Sequence, residues 1–397
     1  MATIRIEEPA QPGRPPRGLA LWQLGFRPFY LLASVFAALS IALWAAQFSG
    51  WLGQAYLQGP LWHAHEMLFG FVLAVVVGFL FTAGRNWSNR PTPSGVTLAA
   101  LAALWLAARL LVLTPWVWAS AIASAAFPIA AAAGLAIALV GAGNRRNYFF
   151  VGLLILLGLA DLALHLSLLG AWTLPPQLGL QIALDVVLFI LAVMAGRVVP
   201  MFTNNGVPGA GASRVGWVEK TALGSLIVLG ALDAAGIDGG SVAAVAALAA
   251  LAHAVRWLLW RPWNTAPAPL VWSLHVAYAW IPVHLLLRVG VEFGAVASSV
   301  ASHALTAGAA AGLIIAMMVR TTRGHTGMPL RADHLDVACF VLVIAAAVVR
   351  VGTPLLAPSL TRVAIVVAAA LWSSGFALYA VRYAPILIRP RRDGKPG

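Results

Sequence analysis

The chain has 397 residues, 61% hydrophobic and 9% charged, and its mean hydropathy of +0.89 excludes a soluble globular protein in favour of a polytopic membrane protein. The formal charge of +13 belongs to short basic loops between apolar runs, where it sets orientation, so nucleic acid is not implied. The single cysteine, Cys339, excludes an intrachain disulfide and a Cys-x-x-Cys-His haem attachment, so any metal must be held by His, carboxylate, Met or Tyr.

Residues 1–28 are polar and proline-rich, with no apolar stretch ahead of a small-residue cleavage site. They are expected to form a cytoplasmic arm and not a cleaved signal peptide. The stretch LWQLGFRPFY reads as an interfacial entry, with Trp22, Phe26 and Tyr30 at headgroup depth. A crossing needs roughly 20 apolar residues. On that measure helices are predicted near 29–48, 62–83, 95–113, 116–141, 148–170, 178–200, 217–236, 241–260, 270–293, 297–320, 334–352 and 360–384. The reading is an all-α bundle of about 12 transmembrane helices, one domain over 29–385 with a basic tail at 386–397.

The basic residues test this count, because a wrong number of helices would scramble their alternation. Arg85 and Arg90, Arg145 and Arg146, Arg197, Arg214 and Lys220, Arg256 and Arg261, Arg320, Arg323 and Arg331, and Arg382 to Lys395 all fall on the side of the N-terminal arm. Both termini are therefore expected to be cytoplasmic.

Direction assigns each histidine a depth. His63, His65 and Glu66 open the second helix at its outer end. His165, His284, Glu292 and His303 also lie in the outer half, whereas His253, His275, His325 and His334 lie in the inner half. Ionisable groups in hydrocarbon are costly and tend to face a functional site or the bundle interior. The bland reading of a lone histidine is an interhelical packing residue, and it is retained for His165 and His253. For His63, His65, His284 and His303 a shared depth with two carboxylates favours metal or haem ligation.

On a regular helix His63 and Glu66 share a face, whereas His65 points about 200° away from His63. One histidine is then a ligand, and the other is either a second ligand or the partner of a neighbouring helix. Glu66 has two readings, orienting a ligand histidine or carrying protons. His275 and His284 face opposite sides of one helix at heights ~13.5 Å apart, and so serve different sites. The loop MMVRTTRGHTGMPL has two readings as well: a haem ligated by His325 with Arg320 and Arg323 on its propionates, or an ordinary basic turn. The patch GRVVPMFTNN reads either as a lining for a cavity or anion, or as a capped helix end.

Four blocks carry a family likeness: GFRPFYLLA, LWHAHEMLFGFVLAVVVGFLFTAGRNW, GRVVPMFTNN and SHALTAGAAAGLIIAMMVRTTRGHTGMPL. In order and over the whole chain they resemble the NnrS family. The resemblance implies a bacterial inner-membrane protein of about twelve helices holding haem and copper and associated with denitrification and nitric oxide tolerance, and it points to His63, His65, Glu66, His303 and His325. Helix number also resembles haem-copper oxidases, but the chain lacks an adjacent His-His pair and a late His-x-His.

The leading expectation is a nitric oxide reductase-like oxidoreductase with one or two b-type haems and a second metal, copper or another. Glu66 and Glu292 would deliver protons, quinol or a small donor would supply electrons, and an inner haem would lie near His275 and His325. The alternatives are a non-catalytic haem protein that binds or protects against nitric oxide, and a secondary transporter, which the lack of a repeat between the halves disfavours. A homo-oligomer is compatible with all three.

Overall fold

The computed structural model describes residues 18–48, 51, 56, 57 and 59–394. Residues 1–17 of the expected arm and 395–397 of the expected tail lie outside them. The described residues form helices and no strand: α1 (Phe26–Phe48), α2 (Gly59–Ser88), α3 (Gly95–Leu111), α4 (Val117–Gly141), α5 (Phe149–Leu168), α6 (Pro176–Gly206), α7 (Gly216–Ala234), α8 (Gly240–Leu259), α9 (Pro269–Glu292), α10 (Ser298–His325), α11 (His334–Leu356) and α12 (Thr361–Ile388). Ten are long and apolar enough to cross a membrane. The exceptions are α3, which has 17 residues, and α7, whose 19 residues include Glu219, Lys220 and Asp233. The architecture is the expected all-α polytopic membrane bundle, a form in which every helix satisfies its own backbone polar groups.

Successive helices run antiparallel, so both described ends lie on one face of the bundle, called here the terminal face. The chain ends are tied there: Ala20 N–H donates to the Ile388 carbonyl at 2.8 Å, and Arg392 N–H to the Thr326 carbonyl at 3.0 Å. Helix α1 packs against α12, closing the ring. The centre is occupied by α2 and α10, whose spanning windows are 83% and 72% buried against 33% for the α12 window. Residues of α1, α2, α6, α9 and α10 line an apolar cleft that includes Tyr30, Val75, Leu191, Leu274 and Ile314.

The two central helices share one irregularity. Helix α2 widens into a π segment over Glu66–Val72, and α10 does so over Ala304–Ala310. Each segment begins on the residue after a histidine, His65 in α2 and His303 in α10, and each has glycine as its fifth residue. Segments of this kind displace side chains from regular register and concentrate at functional sites.

The glycines make room for large neighbours. A Cβ on Gly70 would stand 2.7 Å from a Phe36 ring carbon and 3.0 Å from Arg109 Nη1, and a Cβ on Gly308 would stand 2.5 Å from the Trp280 ring. Small residues at these crossings are what allow close helix approach inside a bilayer.

Candidate functional site

The first turn of α2 is regular helix from Gly59 to His65, so His63 and His65 diverge as their spacing requires and reach different partners. His65 turns towards α5. Its Nδ1 lies 2.8 Å from Glu66 Oε1, and its Nε2 lies 2.8 Å from Asp161 Oδ1. One turn further along α5, His165 Nε2 lies 3.4 Å from the same oxygen. The hydroxyl of Tyr56 closes on His165 Nδ1. Helix α3 contributes Arg109, which donates to Glu66 Oε1 at 2.6 Å and to Ser124 Oγ of α4 at 3.3 Å.

His65, Asp161 and His165 are fully buried, and Glu66 is 1% exposed. Burial on this scale requires that charge and hydrogen-bonding capacity be matched. Asp161 Oδ2 and Glu66 Oε2 are buried without a hydrogen-bond partner. One ligand atom from each of His65, Asp161 and His165 falls within 4.8 Å of the others. The arrangement is a set of two imidazoles and a carboxylate, able to hold a cation or a proton.

His63 turns instead towards α10. Its ring and that of His303 stand 6.2 Å apart, inclined by 12°, and Trp44 flanks His63 at 5.2 Å. His303 Nδ1 is 2.6 Å from the Ser299 carbonyl of its own helix. Only a protonated Nδ1 makes that bond, so a neutral His303 carries its free lone pair on Nε2. His63 Nδ1 is buried without a partner. Arg350 of α11 lies near enough for its charge to reach both rings.

The remaining candidates lie elsewhere. His284 Nδ1 is 2.8 Å from the Ala301 carbonyl, which joins α9 to α10 two residues before His303. Glu292 accepts from Gly239 N–H at 2.7 Å and lies 3.9 Å from Arg288. It shares no partner with Glu66. In the terminal half, His275 Nε2 bonds Thr203 Oγ1 at 2.8 Å and its Nδ1 is unpartnered. His325 packs on Phe26 at 5.6 Å, and its carbonyl accepts from Arg391 at 3.2 Å.

The segment expected as a loop after the tenth helix is still helical through His325, and its two arginines separate. Arg320 stacks on Phe202, 3.6 Å from the ring centre. Arg323 is held by Asp336 at 2.6 Å, Asp333 at 2.7 Å and the Pro329 carbonyl at 3.1 Å, so its donors are taken up in anchoring α11 to α10. The GRVVPMFTNN patch forms a helix end: Arg197 donates to Asn147 at 2.7 Å, and Asn204 exchanges bonds with Ala212 at 2.9 Å. His253 is engaged at both nitrogens, by Tyr278 at 2.6 Å and the Ala222 carbonyl at 3.1 Å.

Residues 20–391 match the family model described as NnrS protein, which covers nearly the whole chain. The chain belongs to the NnrS family. No curated protein matches it. Membership makes it a membrane protein related to nitric oxide and to haem or metal binding.

The sequence pointed to His63, His65, Glu66 and His303, whereas His165 was read as a packing residue and Asp161, Arg109 and Tyr56 were not singled out. Two signals were present. Asp161 and His165 are four residues apart and share one face of an otherwise apolar helix, and Arg109 is a lone charge near the outer end of its own helix.

Proposed function

We propose that this NnrS-family protein is a haem-containing oxidoreductase of the bacterial inner membrane that reduces nitric oxide to nitrous oxide in the far half of its bundle. The observation that carries the reading is the His63–His303 pair across the two central helices. The residues suit a haem: His303, its Nδ1 bonded to the Ser299 carbonyl at 2.6 Å, would hold the iron through its free Nε2. Arg350 is the cation for a propionate. His63, with a buried Nδ1 lacking a partner, stands across from His303 on the other central helix and would offer a second imidazole to the bound group or its small ligand.

Haem supplies an iron that binds nitric oxide and passes electrons to it. The reaction consumes two nitric oxide molecules, two electrons and two protons, and releases nitrous oxide and water. Nitric oxide is small and uncharged, so it would cross the apolar interior of the bundle without polar groups to guide it. Glu66, with one carboxylate oxygen unpartnered, is the residue placed to hold a proton beside the site. Glu292 is tied to Gly239 and Arg288 and serves the α7–α8 turn. Electrons come from quinol or a small donor on the membrane. The run of arginines on the terminal face supports a cytoplasmic orientation of that face.

The test is turnover. Purified, haem-loaded protein given nitric oxide and a competent reductant is expected to release nitrous oxide, and His303→Ala to lose both the reduced haem bands and the product. Nitric oxide binding without nitrous oxide from the wild-type protein would replace the reductase by a non-catalytic nitric oxide-binding protein.

A further inference from the structure

The cluster around Asp161 presents a hydrogen-bonding problem that a neutral imidazole between two ionised carboxylates does not solve. A neutral imidazole has one N–H, yet His65 has a carboxylate oxygen 2.8 Å from each ring nitrogen, Glu66 at Nδ1 and Asp161 at Nε2. The charge count has the same gap: Glu66 and Asp161 are two carboxylates, and among the described residues Arg109, bonded to Glu66, is the one guanidinium paired with either. A further positive charge belongs between His65 and Asp161.

The orientation of both rings indicates what carries it. His65 and His165 each turn Nε2 towards Asp161 Oδ1, at 2.8 and 3.4 Å. Each has Nδ1 held from behind by an oxygen, Glu66 Oε1 for His65 and the Tyr56 hydroxyl for His165. Ligand histidines characteristically donate their second N–H to an oxygen in this way, which fixes the tautomer and aims the bare nitrogen at the metal. Metal bonds of about 2.0–2.2 Å place neighbouring ligand atoms roughly 3–3.5 Å apart, close to the separations already present. Asp161 Oδ2, buried and unpartnered, remains available as a second oxygen ligand.

We infer that His65, Asp161 and His165 bind one divalent first-row transition ion, with Glu66, Arg109 and Tyr56 as the supporting shell. The two-imidazole, one-carboxylate donor set suits Fe(II), Co(II), Cu(II) or Zn(II), and the absence of thiolate or thioether disfavours Cu(I). This site is separate from the His63–His303 pair: His63 and His65, two residues apart on α2, reach different helices.

The inference stands on its own geometry and is tested apart from nitric oxide turnover. Haem-loaded protein in detergent, stripped with a chelator, is titrated anaerobically with Co(II), following the visible ligand-field bands and the bound metal after gel filtration. One equivalent is expected in the wild type. Asp161→Asn, which preserves shape, is expected to abolish binding, and Glu66→Gln to weaken it by about 10- to 100-fold. Haem content and helical circular dichroism should stay unchanged in Asp161→Asn, which separates loss of the site from misfolding. Wild-type protein with its haem and helices intact that takes up no Co(II) would overturn the assignment and leave a proton as the missing charge. Equal uptake by wild type and Asp161→Asn would overturn it in favour of adventitious binding.

Discussion

The rings of His65 and His165 meet edge to face with their centres 5.1 Å apart and their planes at 73°, although one stands on the second helix and the other on the fifth. That contact brings Asp161 between two imidazoles and makes one buried site of residues that are unremarkable singly.

The proposed haem site and the cluster should separate under mutation. His303→Ala and His63→Ala are expected to lower haem content in the purified protein, whereas His165→Ala is expected to keep the reduced b-type bands. Pyridine haemochromogen assays on matched preparations measure this directly. Equal haem in all three would remove His63 and His303 from the haem site.

Arg109 is 5% exposed and Glu66 is 1% exposed. Removing one member of a buried pair leaves the other charge uncompensated, at a cost of about 3–5 kcal/mol. Arg109→Met is therefore expected to lower the thermal midpoint in detergent markedly, and adding Glu66→Gln to restore part of the loss. Additive losses in the double variant would show that the two side chains are not coupled.

Gly70 is the close-packing position that admits Arg109 to Glu66. A methyl group there meets Phe36 and Arg109 Nη1 at 2.7 and 3.0 Å, and overpacking of this kind costs roughly 1–3 kcal/mol. Gly70→Ala is expected to destabilise the protein, while Gly152→Ala, where a Cβ meets nothing within 4 Å, should leave the midpoint unchanged or slightly raised. Parallel melting curves decide.

Arg323 anchors α11 through Asp333 and Asp336 and is not free for a propionate. Arg323→Gln is expected to reduce stability without shifting the haem spectrum. A changed spectrum with unchanged stability would reverse that reading.

Asp333 lies just before α11, where its carboxylate accepts from the Leu335 and Asp336 amides and pairs with Arg382 and Arg323. Burial pushes its pKa up, but the Asp336 amide and the two arginines outweigh it and hold the carboxyl below its ordinary value. A lowered folded-state pKa stabilises the fold above the unfolded pKa, about 3.9, and that contribution is lost as pH falls through the folded value. Asp333→Asn should thus lower stability at neutral pH and flatten its dependence below about pH 4. An unchanged acid limb would contradict this.

Helix existence was legible because apolar runs near membrane length leave few alternatives. The ends were less so. The second helix was expected to stop at 83 and continues to Ser88, and the sixth was expected to stop at 200 and continues to Gly206. The helical backbone carries on beyond the continuous apolar runs into mixed segments that hold Arg85, Asn204 and Asn205. The π segments left no mark in the hydropathy, because they alter register and not composition.

Apolar length, the alternation of basic loops and the depth of each histidine were all determined by the sequence alone, since each depends only on position along a helix of known rise. Depth placed His63, His65, Glu66, His165 and His303 in the same half of the membrane. Azimuth and neighbour were decided by tertiary packing. Which helix faces α2 on each side is what sent His63 to His303, His65 to Asp161 and His165, and Arg109 to Glu66. A bundle packed through small residues encodes that choice in contacts between distant segments, and no spacing within one segment carries it.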